Sequence, residues 1–119
     1  MKMPKKSFNR ILIKLSGESL MGSNKYGIEL KTVNRIASDL ISLKKLNIQI
    51  CIVIGGGNIF RGLAASVNGM DRANADYMGM LATVMNSLAL QNSLEKLNIE
   101  TRVMSAFPIQ SICETYIRR

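Results

Sequence analysis

The chain alternates short apolar runs with amphipathic stretches, and this pattern predicts an α/β fold. Two runs, Arg10–Leu15 (RILIKL) and Ile48–Ile54 (IQICIVI), are rich in branched residues and predict buried parallel strands. Between them, apolar residues recur at steps of three and four, which predicts a helix that ends near Lys44 and Lys45. Its predicted core positions are Leu30, Val33, Ile36, Ala37, Leu40 and Leu43. The segment therefore predicts a βαβ unit.

A longer helix and a third strand are predicted farther along the chain. Helical periodicity runs from Asp71, an expected N-cap, to about Leu97. Residues 99–108 (IETRVMSAFP) predict a strand that ends in a turn at Pro108, and residues 109–119 begin a further element. The methionines between Met70 and Met85 are expected to be adaptable core residues. The predicted core positions of the long helix are Met78, Leu81, Ala82, Met85, Leu88 and Ala89.

Composition places the chain among globular proteins and excludes several kinds of chemistry. Its 119 residues, 47% hydrophobic and 20% charged, are enough for one core. No apolar run approaches the roughly 18 residues of a membrane span, and the start does not resemble a signal peptide, so we expect a cytosolic protein. The absence of histidine excludes Ser-His-Asp and Cys-His catalysis. Cys51 and Cys113 lack a zinc-binding spacing, so reduced packing residues are expected.

The net charge of +8 favours anionic partners such as nucleotides or nucleic acid. Much of this charge lies near the ends of the chain, where lysine and arginine are more often solvated than bound to a ligand. Three Tyr, three Phe and no Trp are too few for a single-strand binding platform.

Glycines follow both predicted strands, in KLSG and in GGGNIFRG. Because parallel strands end at the same edge of a sheet, Lys14, Gly17 and Gly55–Gly57 are expected to converge there. Glycines allow positive φ and let an anion approach the backbone amides, and a helix that begins near Asn58 would add its positive end. This edge predicts a phosphate site, although a tight strand-to-helix turn would use some of the same glycines.

The charged residues near this edge allow two interpretations each. Lys14 is either a buried cation that needs a partner or an exposed residue at a strand end. Arg61 is either a second cation on phosphate oxygens or a surface arginine. Asp71 fits a helix cap, and Asp76 fits a solvated helix face. The dinucleotide pattern GxGxxG fails at Phe60, and the Walker A pattern does not occur.

The segments KLSGES, VIGGGNIFRG and DYMGMLATVMNSLAL resemble those of the bacterial uridylate (UMP) kinases, members of the amino acid kinase superfamily. The resemblance runs from about Arg10 to the last residue. It implies a three-layer α-β-α sandwich with a mainly parallel sheet. It also implies transfer of the γ-phosphoryl group of Mg-ATP to UMP, giving UDP for pyrimidine nucleotide synthesis in the cytoplasm. The same resemblance implies that the full enzyme is a homohexamer, activated by GTP and inhibited by UTP.

The resemblance also implies roles for individual residues. Lys14 and Arg61 would be catalytic. Gly56 and Asp76 would bind UMP, Asp76 through the ribose. Mg²⁺ would arrive with ATP, with no metal ligand identified in this chain. The ATP-binding residues would be Lys14, Leu15, Ser16, Gly17, Gly57 and Arg61. The region linked to GTP activation would be Gly22, Ser23, Asn24, Lys25, Tyr26 and Gly27.

The family enzymes are longer than this chain, and their second half supplies the adenine pocket, further UMP-binding residues and an acidic catalytic residue. We therefore expect residues 1–119 to form the N-terminal part of a single domain, without the C-terminal nucleotide-binding half, and to be inactive alone. Acetylglutamate kinase, glutamate 5-kinase, aspartokinase and carbamate kinase share the lysine and glycine segments and are alternatives. A non-catalytic nucleotide-binding or nucleic-acid-binding module, or a fragment that only supports assembly, are others.

Overall fold

The computed structural model describes residues 7–64 and 68–118, and the side chains of residues 61–64 are outside that description. Four helical elements and four short strands follow one another in the described ranges. In chain order they are β1 (Arg10–Leu15), a 3-10 helix (Gly17–Leu20), α1 (Leu30–Lys44), β2 (Gln49–Ile54), α2 (Gly57–Ala64), α3 (Arg72–Lys96), β3 (Met104–Ser105) and β4 (Glu114–Thr115).

The first two strands and the helix between them form the predicted βαβ unit. β1 and β2 pair in parallel, from Arg10 opposite Gln49 to Leu15 opposite Ile54. β1 has the predicted bounds, and β2 begins one residue later than predicted. Beyond the last pair, the Gly55 amide donates to the Leu15 carbonyl at 2.9 Å. Both strands therefore end at the same edge of the sheet, with their glycines side by side.

The hydrophobic core lies between one face of this strand pair and the helices α1 and α3. Branched residues on alternate strand positions, such as Ile13 and Ile52, pack against it. This alternation follows from the two-residue side-chain period of a strand. The buried residues of the cluster are Leu20, Val33, Ala37, Leu40, Ile54, Leu90 and Leu94.

The other face of β1 and β2 is open, which corrects the prediction that both strands are buried. Leu12 is 64% exposed and Val53 is 52% exposed, and Lys14 lies on the same face. The reason is that the core cluster of the described residues covers only the opposite face. Cys51 is also exposed here, so its predicted packing role is wrong, while both cysteines are free as predicted.

Helix α1 has most of its predicted pattern of core positions. Val33 and Ala37 are fully buried and Leu40 nearly so. Leu30 is 62% exposed, contrary to prediction, because it is the first helical residue and Thr32 and Val33 fill the interior in this turn. Lys44 lies in the last turn, as the macrodipole favours.

Helix α3 is present as predicted, but its buried face differs. Leu81 and Met85, predicted to be core residues, are 48% and 53% exposed. Met70 and Met80 are exposed as well, so these methionines are not core residues. The buried residues are Ala82, Val84, Asn86, Leu90, Ser93 and Leu94. Two of them are polar, and a count of apolar spacing alone does not detect them.

Both ends of α3 also refine the prediction. Asp71 occupies the N-cap position, but its side chain makes no capping hydrogen bond. The helix ends at Lys96, and Asn98 follows with a positive φ of 62°. Asparagine tolerates this left-handed conformation better than most residues, so it suits a helix end.

The predicted third strand is reduced to a short pair, and it does not join β1 and β2 within the described residues. β3 pairs in parallel with β4, in a sheet of its own. A cavity of about 850 Å³ separates β2 from residues 99–106. The Thr101 carbonyl accepts from Gln91 of α3 at 3.0 Å, so this part of the segment is bound to the helix.

Candidate functional site

The glycines of the two strand ends are in direct contact. A Cβ on Gly17 would lie 2.5 Å from Asn58 Oδ1, 2.6 Å from the Gly57 nitrogen and 3.0 Å from the Gly55 oxygen. These distances are too short for any side chain, so Gly17 is required by the close approach of two backbones. The predicted convergence of Gly17 with Gly55–Gly57 is confirmed. We call Gly55–Gly57 the glycine turn.

Close packing also explains Gly56. A Cβ on this residue would lie 2.8 Å from the Ala82 Cβ and 3.1 Å from the Gly79 oxygen. Positive φ values occur at Gly22, Gly27 and Gly69 among the described glycines, and not in the glycine turn. The turn therefore uses glycine for its small size, and the positive φ that three glycines would allow is not needed.

The glycine turn leads into helix α2, which begins at Gly57, one residue before the predicted start. The amides of Ile59 and Phe60 both donate to the Gly56 carbonyl at 3.1 Å. The amides at the beginning of a helix point away from its body and give this end a partial positive charge. The arrangement can therefore stabilise a negative group.

The carboxylate of Glu18 lies against Gly57 at this helix start and would have to move to admit a side chain there. A negative side chain is favoured at such a position by the helix dipole. A phosphate bound at the start of α2 would therefore lie beside the Glu18 carboxylate. Sequence analysis missed Glu18, although its place directly after Gly17 in KLSGES was a usable signal.

Asn58 and Asn86 form a reciprocal amide pair beneath the glycine turn. The Nδ2 of Asn58 donates to Asn86 Oδ1 at 3.0 Å and to the Gly27 carbonyl at 2.9 Å. The Nδ2 of Asn86 donates to Asn58 Oδ1 and to the Gly55 carbonyl, both at 2.7 Å. The two side chains are 1% and 0% exposed. Sequence analysis missed both, because Thr83 and Ser87 are polar neighbours of Asn86 and the pairing with Asn58 is visible only after folding.

Lys14 is exposed near the end of β1, where it is paired in register with Val53. The interpretation as an exposed strand-end residue is therefore confirmed, and the buried alternative is wrong because the open face of the sheet carries this side chain. Leu15 is half-buried and Ser16 exposed between Lys14 and Gly17. Arg61 belongs to α2, and its side chain lies outside the described residues.

Asp76 lies on the first part of α3, one turn before Gly79, which contacts the glycine turn. Its side chain is 65% exposed, and its Oδ2 is 3.9 Å from Arg72 Nε. These observations fit the solvated helix face. An exposed pair at this distance contributes little to stability.

Residues 22–27, the segment GSNKYG, form a turn between the 3-10 helix and α1. Gly22 and Gly27 have φ values of 58° and 84°, a left-handed backbone conformation that favours glycine at both ends of the turn. The Gly27 amide also donates to the Asn58 carbonyl at 2.8 Å. We call this segment the 22–27 turn, and its end is thus bound to the second residue of α2.

Two further observations concern the described ranges only. Within residues 7–64 and 68–118, no three His, Cys, Asp or Glu side chains are grouped so that they could hold a metal ion. In the same ranges, every helix is too short or too polar to cross a membrane.

The chain is similar in sequence and in structure to known uridylate kinases. Uridylate kinase of Zymomonas mobilis is 57% identical over 112 residues, 94% of this chain and 46% of the relative. UMP kinase from Bacillus anthracis superposes with a TM-score of 0.85 at 42% identity, over 94% of this chain and 46% of that chain. UMP kinase from Ureaplasma parvum gives a TM-score of 0.82 at 39% identity, over 92% of this chain and 48% of that chain.

These matches confirm the resemblance to the uridylate kinases. The chain spans about half the length of the relatives it matches. The parallel strand pair and its helices are consistent with the amino acid kinase fold. The sequence profile of the amino acid kinase family matches residues 9–116. Because that match includes nearly every described residue, the chain belongs to the amino acid kinase family.

Proposed function

We propose that this chain is the N-terminal part of a single amino acid kinase domain that transfers the γ-phosphoryl group of ATP to UMP. The observation that carries the proposal is the sheet edge at which β1, the strand that contains Lys14, ends and Gly17 meets the glycine turn. This edge occurs in a chain that is 57% identical to a uridylate kinase over 94% of the chain's own length.

The chemistry suits this edge. A phosphate oxygen of UMP forms a bond to the γ-phosphorus while the bond to the β-phosphate oxygen breaks, and ADP leaves. Negative charge spreads over the transferred oxygens, so cations and amides that position and neutralise them do most of the work. The exposed ammonium of Lys14 would contact the donor phosphates, together with the backbone at Gly17 and Gly57. Mg²⁺ enters with ATP as part of the substrate.

The remaining roles rest on the resemblance to uridylate kinases. Leu15, Ser16 and Arg61 would complete the ATP contacts, and Gly56 and Asp76 would bind UMP. The 22–27 turn would belong to the region that responds to GTP. Assembly as a homohexamer, inhibition by UTP and a cytoplasmic location are parts of the same proposal.

The isolated 119-residue chain would not carry out the reaction. It spans 46% of the Zymomonas mobilis relative, and the adenine pocket and an acidic catalytic residue would come from the part that it does not match. We define the completed protein as this chain continued by that part of the Zymomonas mobilis enzyme. The isolated chain should give no UDP above background, whereas the completed protein should give UDP.

Labelled phosphoryl transfer from Mg-ATP by the completed protein tests the proposal, with UMP, CMP, N-acetylglutamate and aspartate as parallel acceptors. We expect transfer to UMP. Lys14→Ala should lower kcat about 100-fold or more, as does loss of one group that stabilises transition-state charge. Lys31→Ala, which removes an exposed lysine from α1, is the matched control and should change kcat less than twofold. Transfer to an amino acid substrate, or full activity of Lys14→Ala, would contradict the proposal.

A second candidate is a nucleic-acid-binding or nucleotide-binding module without catalysis, which the net charge of +8 favours. Its affinity would fall steeply with salt in proportion to the number of phosphates neutralised. A shaped UMP site would instead distinguish UMP from CMP at a fixed salt concentration. Equilibrium binding of the two nucleotides at two salt concentrations separates these possibilities.

A further inference from the structure

The Asn58–Asn86 pair connects three parts of the molecule that lie far apart in sequence. Asn58 is the second residue of α2, Asn86 is in the middle of α3, and their amides reach the carbonyls of Gly27 and Gly55. We propose that Asn58 and Asn86 are positioning residues that hold the glycine turn in place and couple it mechanically to the 22–27 turn. The kinetic consequence rests on the proposed function, whereas the structural consequence does not.

The hydrogen bonding of the pair is complete. Each amide has two N–H donors, and all four donate, two within the pair and two to backbone carbonyls. No buried side-chain polar atom of the described residues lacks a partner. At 1% and 0% exposure, water cannot replace these bonds without local opening. A buried donor or acceptor that loses its partner costs much more than an ordinary hydrogen bond contributes, so the geometry is strongly defined.

This pair is not required for packing alone. Apart from Ser93, the other buried residues of α3 are apolar, and Ala82 and Leu90 lie one turn away on either side of Asn86. An aliphatic residue would fill the same interior without two buried amides. Among the residues that the structure describes, the polar groups that the two side chains reach outside the pair are the carbonyls of Gly27 and Gly55, so the specific effect of the pair is to fix the positions of the two turns.

The coupling has a defined path. Gly27 is held to Asn58 twice, because its amide donates to the Asn58 carbonyl at 2.8 Å and its carbonyl accepts from Asn58 Nδ2 at 2.9 Å. Asn58 follows Gly57 directly. Displacement of the 22–27 turn must therefore either break both bonds or move the start of α2, where the glycine turn ends.

Aspartate substitutions in the completed protein separate the two connections. Asn58→Asp keeps the acceptor for Asn86 Nδ2 but removes the donor to the Gly27 carbonyl and the donor to Asn86 Oδ1. Asn86→Asp keeps the acceptor for Asn58 Nδ2 but removes the donor to the Gly55 carbonyl and the donor to Asn58 Oδ1. Each variant therefore loses one bond within the pair and one bond to a different turn. Asn34→Asp is the matched control, because Asn34 is exposed and its Oδ1 accepts from Ser93 at 2.8 Å, a bond that a carboxylate also accepts. Amide hydrogen exchange and steady-state kinetics would be measured on all three variants and on the parent.

We expect local changes that differ between the variants. Asn58→Asp should speed exchange of the Gly27 amide about tenfold or more, and Asn86→Asp should do the same for the Gly55 amide, with β1 amides such as Leu12 unchanged. Both should lower kcat/KM for UMP about 10- to 100-fold, the change that corresponds to one lost buried hydrogen bond. Asn34→Asp should change neither measurement more than twofold.

The possible failures are distinct. Unchanged exchange at Gly27 and Gly55 in the Asp variants, or an increase that is uniform across β1 and β2, would overturn the positioning role. If amide exchange at Gly27 and Gly55 changes but kcat/KM does not, the importance of the Asn58–Asn86 pair for turnover is overturned. If the parent protein does not phosphorylate UMP, the proposed function fails, and the exchange pattern still decides whether the pair holds the two turns.

Discussion

At the scale of single residues, Gly17 meets the glycine turn too closely to admit a side chain, and the buried Asn58–Asn86 pair holds this contact from beneath. Gly17 and the glycine turn were predictable because glycine has few other reasons to recur at the ends of two strands. Asn58 and Asn86 were not predictable, since a partner 28 residues away in sequence is visible only after folding. Lys14 could be placed at the edge from sequence, but its exposure depended on which face of the sheet the helices cover.

The packing of Gly17 leads to a stability prediction. Gly17→Ala should destabilise the completed protein by about 1–3 kcal/mol, because its Cβ would fall 2.6 Å from a backbone nitrogen that cannot easily move. Gly79→Ala is the matched control. No atom lies within 4 Å of the Cβ it would add, and alanine in a helix is about 1 kcal/mol more favourable than glycine.

Urea unfolding monitored by circular dichroism measures both variants. Gly17→Ala should lower the midpoint and Gly79→Ala should leave it unchanged or raise it. Equal shifts of the two midpoints in the same direction would show that the contact between the strand ends is not what requires glycine at position 17.

At the scale of elements, local patterns were accurate where one face of an element meets a single apolar partner. β1 and α1 have nearly their predicted bounds because period and composition agree there. α3 was assigned correctly as a helix, but its buried face carries Asn86 and Ser93, while Met85 faces outward. The strand expected over residues 99–108 failed because pairing depends on neighbours from elsewhere in the chain, which propensity does not describe.

The short β3–β4 pair predicts a pH dependence. Arg102 forms a two-nitrogen hydrogen-bonded ion pair with Glu114, and the hydrogen bond holds the pKa of that carboxyl below its usual value of 4.5. A carboxyl whose pKa is lowered by folding stabilises the folded state above its unfolded pKa, and this contribution is lost as pH falls through the lower, folded value. Pairing of β3 with β4 should therefore weaken as the pH falls below about 4.5.

Exchange protection of the Tyr116 amide, which donates to the Ser105 carbonyl at 2.8 Å, measures this pairing. After correction for intrinsic exchange, protection should fall on acidification in the parent protein. Glu114→Gln should show weaker protection at neutral pH and little further change with acid. Glu95→Gln, which removes an exposed acid from α3, should behave like the parent. A parent-like acid response in Glu114→Gln would exclude the ion pair as the cause.

At the scale of the whole molecule, the described chain has an apolar surface that a complete domain would be expected to cover. Leu12 and Val53 are exposed on the open face of β1 and β2, and a cavity separates β2 from residues 99–106. Sequence analysis identified the family and the βαβ unit from local motifs. It could not show which sheet face the helices cover, because that depends on how α1 and α3 pack together.

The open face of β1 and β2 predicts that one double substitution has different effects in the isolated chain and in the completed protein. Leu12→Thr combined with Val53→Thr should reduce self-association of the isolated chain, because it removes exposed apolar surface. For the same reason it should reduce binding of a dye that recognises apolar surface. In the completed protein the same pair should lower stability by about 1–3 kcal/mol, since apolar side chains buried by the second half contribute about 25 cal/mol per Å². Sedimentation velocity and urea unfolding measure the two effects. Leu97→Thr, at the partly exposed end of α3, is the control and should leave the stability of the completed protein nearly unchanged. If Leu12→Thr combined with Val53→Thr also leaves that stability unchanged, the second half does not cover this face.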